Sequence, residues 1–511
     1  MKYRLFRYLS ALVLLLSTSC RTEAQDKSHA NSPAFRDYNP PGADELIRPS
    51  DVEYQLWEDF MLVRKANAGD PAAQHELGLR YLLGKGFSAD TARAAYWIKK
   101  AADQNMPVAE YNYSVFLNNG WGVSWDPFEA FRRCEAAAKS DMPEAEFALG
   151  LFYADNLVVA RNWQEAYRWV KAAADAKFDP ARKVLPEIAR RVNSSDTLQS
   201  VSSSHDSSSA GAVQAFEPVY LDFGQDSTAH VDDLTLLNEA FREGSGQLRK
   251  ALGASEIFEK GGSDTTALSL IVRAANAGSP EALTVLGRCF EEGVGVPRDR
   301  ILAAEQYMRA SRMDSRRAPV LLWNLFREKG FPEEVSSRSL KGDDDAAFVW
   351  AGLTELGLDR RLLDDQAFHL LVVGGEHNNI PSLIELGRCY YTGQWTARNP
   401  QLGASAWRRA VLDGSRDAEI RLAAAAVLED SSKASLTDTI QTLFAGSDEG
   451  SLIGQLALAY CFEKGIGIGQ DIGRAVRLYR DCTQRGSQAA YDALKRIYDS
   501  MRPTDKVYDV E

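Results

Sequence analysis

The chain has 511 residues, a net charge of −12 at neutral pH and an isoelectric point near 5.2. This charge argues against a nucleic-acid-binding protein, because that function depends on Lys and Arg side chains that neutralise phosphates. Apolar residues make up 45% of the chain and charged residues 25%, which is typical of an ordinary globular protein. The length permits several domains or one long array of repeats.

The N-terminus has the pattern of a secretory signal peptide, with basic residues up to Arg7, an apolar run from Leu9 to Leu16 and then small residues. The apolar run is too short to span a bilayer, which takes roughly 20 residues. The stretch Leu16-Ser-Thr-Ser-Cys20 resembles the bacterial lipobox. That resemblance implies that residues 1–19 are removed, that Cys20 is lipidated, and that Arg21 directs the protein to the outer membrane, facing the periplasm. The alternative is cleavage after Ala24, which would release a soluble periplasmic protein.

Residues 20–50 are polar and contain Pro40-Pro41-Gly42, a composition that predicts a flexible tether. The lipid on Cys20 would then be the only membrane attachment. A bacterial lipoprotein carries several acyl chains on this cysteine, and two chains are enough for stable anchoring.

After residue 50, a Gly-x-Gly motif recurs, and an Asp always stands four residues after its second glycine. The four copies are Gly84 and Gly86, Gly120 and Gly122, Gly293 and Gly295, and Gly465 and Gly467. Gly84-Lys85-Gly86 could suggest a phosphate-binding loop, but such a loop requires Ser or Thr directly after the lysine. Because the motif recurs with a period of about 36 residues, we interpret it as a structural turn.

Each step of the period has a backbone explanation. An Asp or Ser before proline, as at Asp70-Pro71 and Ser279-Pro280, predicts the start of a first helix, which we call helix A. The glycine 13 residues later ends helix A in the left-handed conformation, and Asn156 and Asn193 substitute for it in two repeats. The following second helix, helix B, is predicted to be capped by one residue in each repeat, and in two repeats a capping box is completed by Glu129 and Glu165. These caps are Asp90, Asp126, Asn162, Asp299 and Asp471.

The segment "ANAGDPAAQHELGLRYLLGKGFSADTARAAYWIKKAADQN" from Ala66 resembles the Sel-one-like repeat (SLR) family, a relative of tetratricopeptide repeats. The segments that begin at Ala275 and Leu456 resemble it as well. The resemblance implies an all-α fold, a right-handed α/α solenoid (superhelix) of helix-turn-helix repeats of about 36 residues. It also implies an adaptor function in protein complexes, including complexes of the bacterial envelope, and some members are linked to cell-wall or β-lactam binding.

The register predicts helix-A starts near 71, 107, 143, 180, 246, 280, 344, 380, 416, 452 and 488. One shortened repeat is predicted between 280 and 344, with Arg312–Pro319 and Phe331–Lys341 as its irregular loops. Half of the residues from Asn193 to Ala210 are serine, which predicts a segment that does not order itself. We therefore expect a first solenoid segment at 51–192, an insert at 193–228, a continuation of the same solenoid at 229–500 and a C-terminal tail at 501–511. Within the insert, 215–223 is apolar and is expected to cover the solenoid loosely, and Val184 and Leu185 should pack on Leu234 and Leu237.

Side chains that could carry chemistry are sparse and fall at repeat positions. His75-Glu76 lacks the second histidine of a zinc-protease helix, and there is no Ser-x-x-Lys or Gly-x-Ser-x-Gly motif. We expect no catalytic residue, no cofactor and no metal. The residues that recur ten positions past a helix-A start are expected to be core residues rather than ligand platforms: Tyr81, Leu117, Tyr153, Phe290, Tyr390 and Phe462. Carboxylate pairs such as Glu291-Glu292 are interpreted as solvated charges.

Cys289, Cys389 and Cys461 occupy one repeat position, which favours a small buried role. Cys461 and Cys482 share one repeat and form the one plausible intra-repeat disulfide, a pairing that the sequence leaves open. Arg288 and Arg388 also share a position, either facing a partner or paired in a salt bridge.

The sequence thus predicts a noncatalytic lipoprotein that acts as a protein–protein interaction scaffold on the concave surface of its helix-A faces. Its partners would be one or more envelope proteins, with no nucleic acid. The alternatives are a periplasmic binder of cell-wall glycan or peptide and, less favoured, a hydrolase.

Overall fold

The computed structural model describes residues 51–195, 240, 244, 265–429 and 436–510. The signal peptide with Cys20, the tether, most of the insert and the predicted contact of Val184 with Leu234 lie outside these residues and stay predictions. The described helices are numbered in chain order: α1 (Asp51–Asn67), α2 (Pro71–Leu83), α3 (Thr91–Ala102), α4 (Pro107–Asn119), α5 (Pro127–Ala138), α6 (Pro143–Asp155), α7 (Trp163–Asp175), α8 (Asp179–Ser195), α9 (Thr265–Asn276), α10 (Pro280–Glu292), α11 (Arg300–Ser311), α12 (Ala318–Phe326), α13 (Phe331–Ser339), α14 (Asp344–Glu355), α15 (Asp364–Glu376), α16 (Ile380–Thr392), α17 (Pro400–Leu412), α18 (Arg416–Glu429), α19 (Thr437–Glu449), α20 (Leu452–Lys464), α21 (Ile472–Gln484) and α22 (Gln488–Met501).

The fold is all-α, and helices that follow each other in the chain pack against each other, as α2 does on α3 and α6 on α7. The chain divides into two compact units. The first unit contains 1–206 and 494–511, and the second contains 207–493. The boundary after 206 falls inside the predicted insert, and the boundary after 493 falls within α22.

Every described helix-A start lies at or next to its predicted position, and the turns set the register. The four first glycines of the motif have positive φ, from 64° at Gly120 to 75° at Gly293. Asn156 adopts the same conformation with a φ of 62°. The prediction for Asn193 was wrong, because α8 continues through it to Ser195.

Helix B is followed by a residue in the left-handed conformation, and these residues recur at a fixed spacing along the chain. These residues are Gly69, Asn105, Asp141 and Lys177 in the first unit, and Gly278, Asp314, Gly342, Asn378, Gly414, Gly450 and Gly486 in the second. Their spacing is 36 residues within each series, except for 28 between Asp314 and Gly342. The period is therefore fixed in the backbone even where the residue is not glycine.

The short step contains the predicted shortened repeat. Of its two predicted loops, the first is irregular from Arg312 to Arg317, and the second was wrong. Its two helices are α12 and α13, each nine residues long. Phe331–Lys341 was predicted to be an irregular loop, yet α13 covers most of it. Pro332 is tolerated because it lies in the first helical turn, and Phe331 and Val335, one turn apart, are fully buried.

The residue that caps helix B also joins the two helices of a repeat. Its side chain accepts a hydrogen bond from the first helical turn, as Asp90 does from the amide of Arg93 at 2.9 Å. Its own amide donates to the carbonyl ten residues past the helix-A start, at 2.7 to 3.1 Å in six repeats. The predicted capping boxes are wrong for this reason, since that amide is already bonded. Glu129 instead pairs with Arg133 and Glu165 with Arg168.

Glycines within helix A allow the two helices to approach closely. A Cβ on Gly78 would lie 2.5 Å from Cγ1 of Ile98, and a Cβ on Gly150 would lie 2.6 Å from Cγ2 of Val170. Gly287 faces Tyr307 in the same way. These contacts confirm that each such glycine marks the crossing of helix A with helix B.

Helix A is buried on most of its circumference, whereas helix B is amphipathic. In α4 and α6 nearly all residues from the second turn onward are buried, including polar ones such as Asn118 and Asp155. The three cysteines at one repeat position are fully buried, as predicted, and Cys461 and Cys482 are free thiols. The residues ten positions past each helix-A start were predicted to be core residues, and this holds only in part. Leu117 and Phe462 are buried, but the other four are partly buried at the margin of the core.

We predict that Gly293→Val destabilises the protein by about 1–2 kcal/mol, because a β-branched residue resists a positive φ. Gly293→Asn is the matched control, since Asn156 already fills the equivalent position with the same backbone conformation. Thermal and urea unfolding would show a clear loss for valine and a small one for asparagine. Equal losses of stability in the two variants would mean that the space around residue 293, rather than its positive φ, restricts the side chain.

Candidate interaction surface

The second glycine of three Gly-x-Gly motifs lies against the preceding helix. A Cβ on Gly122 would collide with the carbonyl of Thr91 at the start of α3, and one on Gly467 would lie 2.9 Å from Cγ1 of Ile440 in α19. Gly86 faces the carboxylate of Asp59 in α1. The space that a phosphate would need is therefore occupied by the chain itself.

His75 and His377 are engaged in structural contacts. His75 is buried and lies 2.7 Å from the side-chain amide of Asn112 in the next repeat. Burial lowers the pKa of this imidazole. His377 follows α15 and pairs with Asp344 at 2.9 Å. Across 51–195, 265–429 and 436–510, no three His, Cys, Asp or Glu side chains come together as a metal site.

A network of buried ion pairs fills the interior of the second unit. Arg388 in α16 is 2% exposed and pairs with Glu385 at 2.5 Å and with Glu355 at 2.8 Å. Arg312, at the end of α11, contacts the same two carboxylates. Burial alone would raise the pKa of Glu385, but the two guanidinium groups outweigh it and lower the pKa to about 2.

A second set of buried charges continues this network across α11 and α18. Asp417 and Arg421 are 2% and 4% exposed and pair at 2.9 Å. Arg309 lies 3.7 Å from Asp417 and 3.6 Å from Glu305. The space between these side chains and Arg388 is about 20 Å³, enough for one water molecule. Ion pairs thus occupy the space between the helices at this point, and the groove predicted on the helix-A faces stays a prediction.

Arg288 and Arg388, which share one repeat position, both form salt bridges within the protein. Arg288 pairs with Glu291 at 2.9 Å and with Glu292 at 3.0 Å. Glu291 was predicted to be solvated but is 8% exposed, and it also accepts a hydrogen bond from Tyr307 at 2.5 Å. The cost of burying the Glu291 carboxylate is therefore offset by two partners, Arg288 and Tyr307, as is usual for a buried carboxylate.

Two contacts join distant repeats within the second unit. Arg485, after α21, forms a double hydrogen bond to Glu281 at 2.8 and 2.9 Å. Asp314 accepts a hydrogen bond from the amide of Gln488 at 2.9 Å. Burial raises the pKa of Asp314 to about 7, against the effect of this hydrogen bond and with the help of Asp492.

The outer faces of helix B in the first unit carry a row of aromatic and cationic side chains. At one repeat position stand Trp97, Arg133 and Trp169, and at the position before it Tyr96, Arg132 and Arg168. We call these six residues, which repeat on α3, α5 and α7, the outer row. Trp97 also packs against the core cluster of Ala66, Ala73 and Leu77, and Arg133 is 20% exposed.

Cations cover the rings of the outer row. The ammonium of Lys100 lies 4.7 Å from the ring centre of Tyr96 and 5.2 Å from that of Trp97. The guanidinium of Arg168 lies 4.6 Å from the ring of Trp169. Tyr96 is 53% exposed, and Arg132 and Arg168 are each 62% exposed. Sequence reasoning missed this row, although the spacing of 72 residues between Trp97 and Trp169 was visible.

The profile of the Sel1 repeat matches six segments of the chain, at residues 71–106, 107–141, 143–178, 280–314, 380–410 and 452–480. The chain is a Sel1-repeat protein. The matched segments begin at the helix-A starts described above. Sel1 repeats generally mediate protein–protein interaction, and the fold is typically a noncatalytic scaffold.

Two solved structures resemble the Sel1-repeat chain. One is a protective antigen of uropathogenic Escherichia coli with an SLR fold, at 17% identity, 88% coverage of this chain, 91% of that chain and a TM-score of 0.29. The other is a Sel1 repeat protein from Oxalobacter formigenes, at 32% identity, 25% coverage of this chain, 96% of that chain and a TM-score of 0.24. No protein with a curated description matches the chain.

We predict that Arg388→Met destabilises the protein by about 3–5 kcal/mol, because it leaves two carboxylates buried without this partner. Arg288→Met is the matched control at the same repeat position. Its side chain is 16% exposed, so the expected cost is about 1 kcal/mol. Urea unfolding of both variants measures the difference. Similar losses would show that the buried network adds no stability beyond that of a partly exposed pair.

We predict that Asp314 makes unfolding pH-dependent. Its folded-state pKa of about 7 exceeds the unfolded value near 4. The folded protein therefore keeps a proton that the unfolded chain has lost, and this contribution to stability falls as pH rises from about 4 to 7. Asp314→Asn retains the acceptor for the Gln488 amide but does not titrate. Its melting temperature should exceed that of the wild type at pH 8 and match it at pH 4; parallel curves would contradict the assignment.

Proposed function

We propose that this chain is a noncatalytic lipoprotein of the bacterial cell envelope that scaffolds protein complexes. The proposal combines the six Sel1 repeats with the N-terminal lipobox pattern ending at Cys20. None of the described helices has the length and apolarity needed to cross a bilayer. The acyl chains on Cys20 would hold the protein at the outer membrane, on the periplasmic side.

The outer row of the first unit is the observation that carries the scaffold function. Tyr, Trp and Arg are the residue types enriched in protein interfaces, where they supply most of the binding energy. In the outer row they repeat on successive helices, so a partner that lies across the helices meets the same chemistry several times. The helix-A interior of the second unit, in contrast, is filled by ion pairs.

The charge of the outer row indicates the kind of partner. Lys100, Arg132 and Arg168 are exposed cations on a chain whose net charge is −12. Complementary charges guide association and fix the register of a complex. We therefore expect a protein partner that presents acidic and aromatic side chains. A cell-wall glycan or stem peptide is the alternative occupant that the test below separates.

We predict that a photo-crosslinking amino acid at Tyr96 captures a discrete protein partner in intact cells. The matched control is the same substitution at Leu402, which is 49% exposed on α17 of the second unit. Adducts are detected by mass spectrometry after protease or muramidase digestion. In the Cys20→Ser background the adduct should fall about tenfold, because the chain loses the local concentration that anchoring provides, and a metabolic fatty-acid label should disappear.

Three outcomes would contradict parts of the proposal. A muramidase-sensitive adduct at Tyr96 would make the chain a cell-wall binder. Equal adducts at Tyr96 and Leu402 would remove the outer row as the binding surface. A mature N-terminus at Gln25 would replace the lipid anchor with a soluble periplasmic form.

A further inference from the structure

The residues after α22 fold back onto the first unit and attach to it through two side chains. Between Arg502 and Val510, Tyr508 is buried, while Thr504 to Val507 are exposed. Lys506–Tyr508 form a single 3₁₀ turn, capped by Asp505. We call 502–510 the C-terminal strap. Its attachment resembles that of a bound peptide more than that of a packed helix.

Tyr508 fills an aromatic pocket on α5. Its ring centre lies 5.1 Å from that of Phe128 and 6.1 Å from that of Phe131, both in edge-on geometry. Phe131 is in turn held edge-on by Phe152 of α6 at 5.6 Å. Such ring pairs contribute about 0.5–1.5 kcal/mol beyond the area they bury. With Tyr508 only 4% exposed, this side chain is the apolar anchor of the strap.

Arg502 is the polar anchor. Its guanidinium donates to the carbonyls of Leu157 at 2.9 Å and Val158 at 3.1 Å, in the turn after α6. It also donates to the carbonyl of Tyr508 at 2.7 Å, and it lies 5.8 Å from the ring centre of Phe128. One arginine thus joins the strap, the turn and the aromatic pocket.

The turn after α6 departs from the repeat pattern where it meets Arg502. Four repeats have Gly-x-Gly here, but this one reads Asn156-Leu-Val158, and Leu157 and Val158 are fully buried. A polar turn exposed to water would not carry two buried aliphatic residues. The turn is therefore apolar and buried, unlike the exposed turn at Gly84, and together with the aromatic pocket it forms the surface that the strap contacts.

We propose that this surface is a peptide-binding site which the strap occupies in the free protein. It takes a protein segment with an arginine followed six residues later by an aromatic residue, the spacing of Arg502 and Tyr508. The site lies on α5, between the helices that carry Tyr96 and Trp169, so it is continuous with the outer row. The inference rests on the proposed scaffold function and names one segment of that partner, whose arginine binds the carbonyl oxygens of the turn and not the cations of the outer row.

The strap limits access to the site by competition. Because it is tethered to α22, its effective concentration at the pocket is on the order of millimolar. A partner segment binds with an affinity reduced by the fraction of molecules in which the pocket is open. Weakening the strap should therefore raise the apparent affinity for a segment supplied in trans.

The test uses a fluorescein-labelled peptide of residues 501–511 and the full chain. Fluorescence anisotropy should give at least about tenfold tighter binding to Tyr508→Ala than to the wild type. Val507→Ala is the matched control, since Val507 is 55% exposed beside Tyr508, and it should bind like the wild type. Peptides with alanine in place of the arginine or the tyrosine should lose at least about tenfold in affinity for Tyr508→Ala.

Equal binding to the wild type and Tyr508→Ala, or no binding to a Tyr508→Ala chain that melts like the wild type, would overturn the inference. If Tyr508→Ala lowers the melting temperature strongly, Arg502→Ala replaces it with the same expectations. The result is independent of the cellular test. Peptide binding without a crosslinked partner would contradict the scaffold function alone, and a crosslinked partner without peptide binding would contradict this site alone.

Discussion

Six helix pairs share one backbone hydrogen bond, from the amide of the residue that caps helix B to the carbonyl ten residues past the helix-A start. The bond forms only if the chain reverses within about five residues, which requires the left-handed residue after helix A. The same capping residue then starts helix B through its side chain, as Asp90 and Asp299 do. One residue therefore closes the turn and sets the register, which explains why the period survives where Asn156 replaces glycine.

Close pairing of the helices places helix A inside and helix B outside, and this arrangement decides where function can reside. In the second unit the inward positions of helix A hold two buried ion pairs, Arg388 with Glu385 and Arg421 with Asp417. Such a network adds little net stability but is costly to break. We place the proposed interaction surface on helix B of the first unit, where Trp97 and Trp169 stand at equivalent positions.

The sequence predicted those features whose cause is local. Turn glycines, caps and helix starts follow from backbone geometry within a few residues, so the all-α repeat could be derived before the structure. The errors arose where a local rule met a longer-range contact. Glu129 matches a capping box, but the amide it should bond is already paired with the preceding helix. The bridge from Arg485 to Glu281 and the contact of Arg502 with Leu157 join residues hundreds of positions apart, and such contacts have no local signature.

Departures from the repeat pattern can nevertheless be found in the sequence, and each of them indicates a contact that the repeat itself does not require. Trp395 stands where other repeats have the second glycine, and it keeps a φ of 61° while packing against the core of the second unit. Val158 stands at the same repeat position, and its carbonyl binds Arg502. In both cases a residue that the turn does not require is explained by something outside the turn. In a repeat protein, the position at which one copy breaks the rule shared by the others is therefore the place to look for a contact that the repeat alone does not provide.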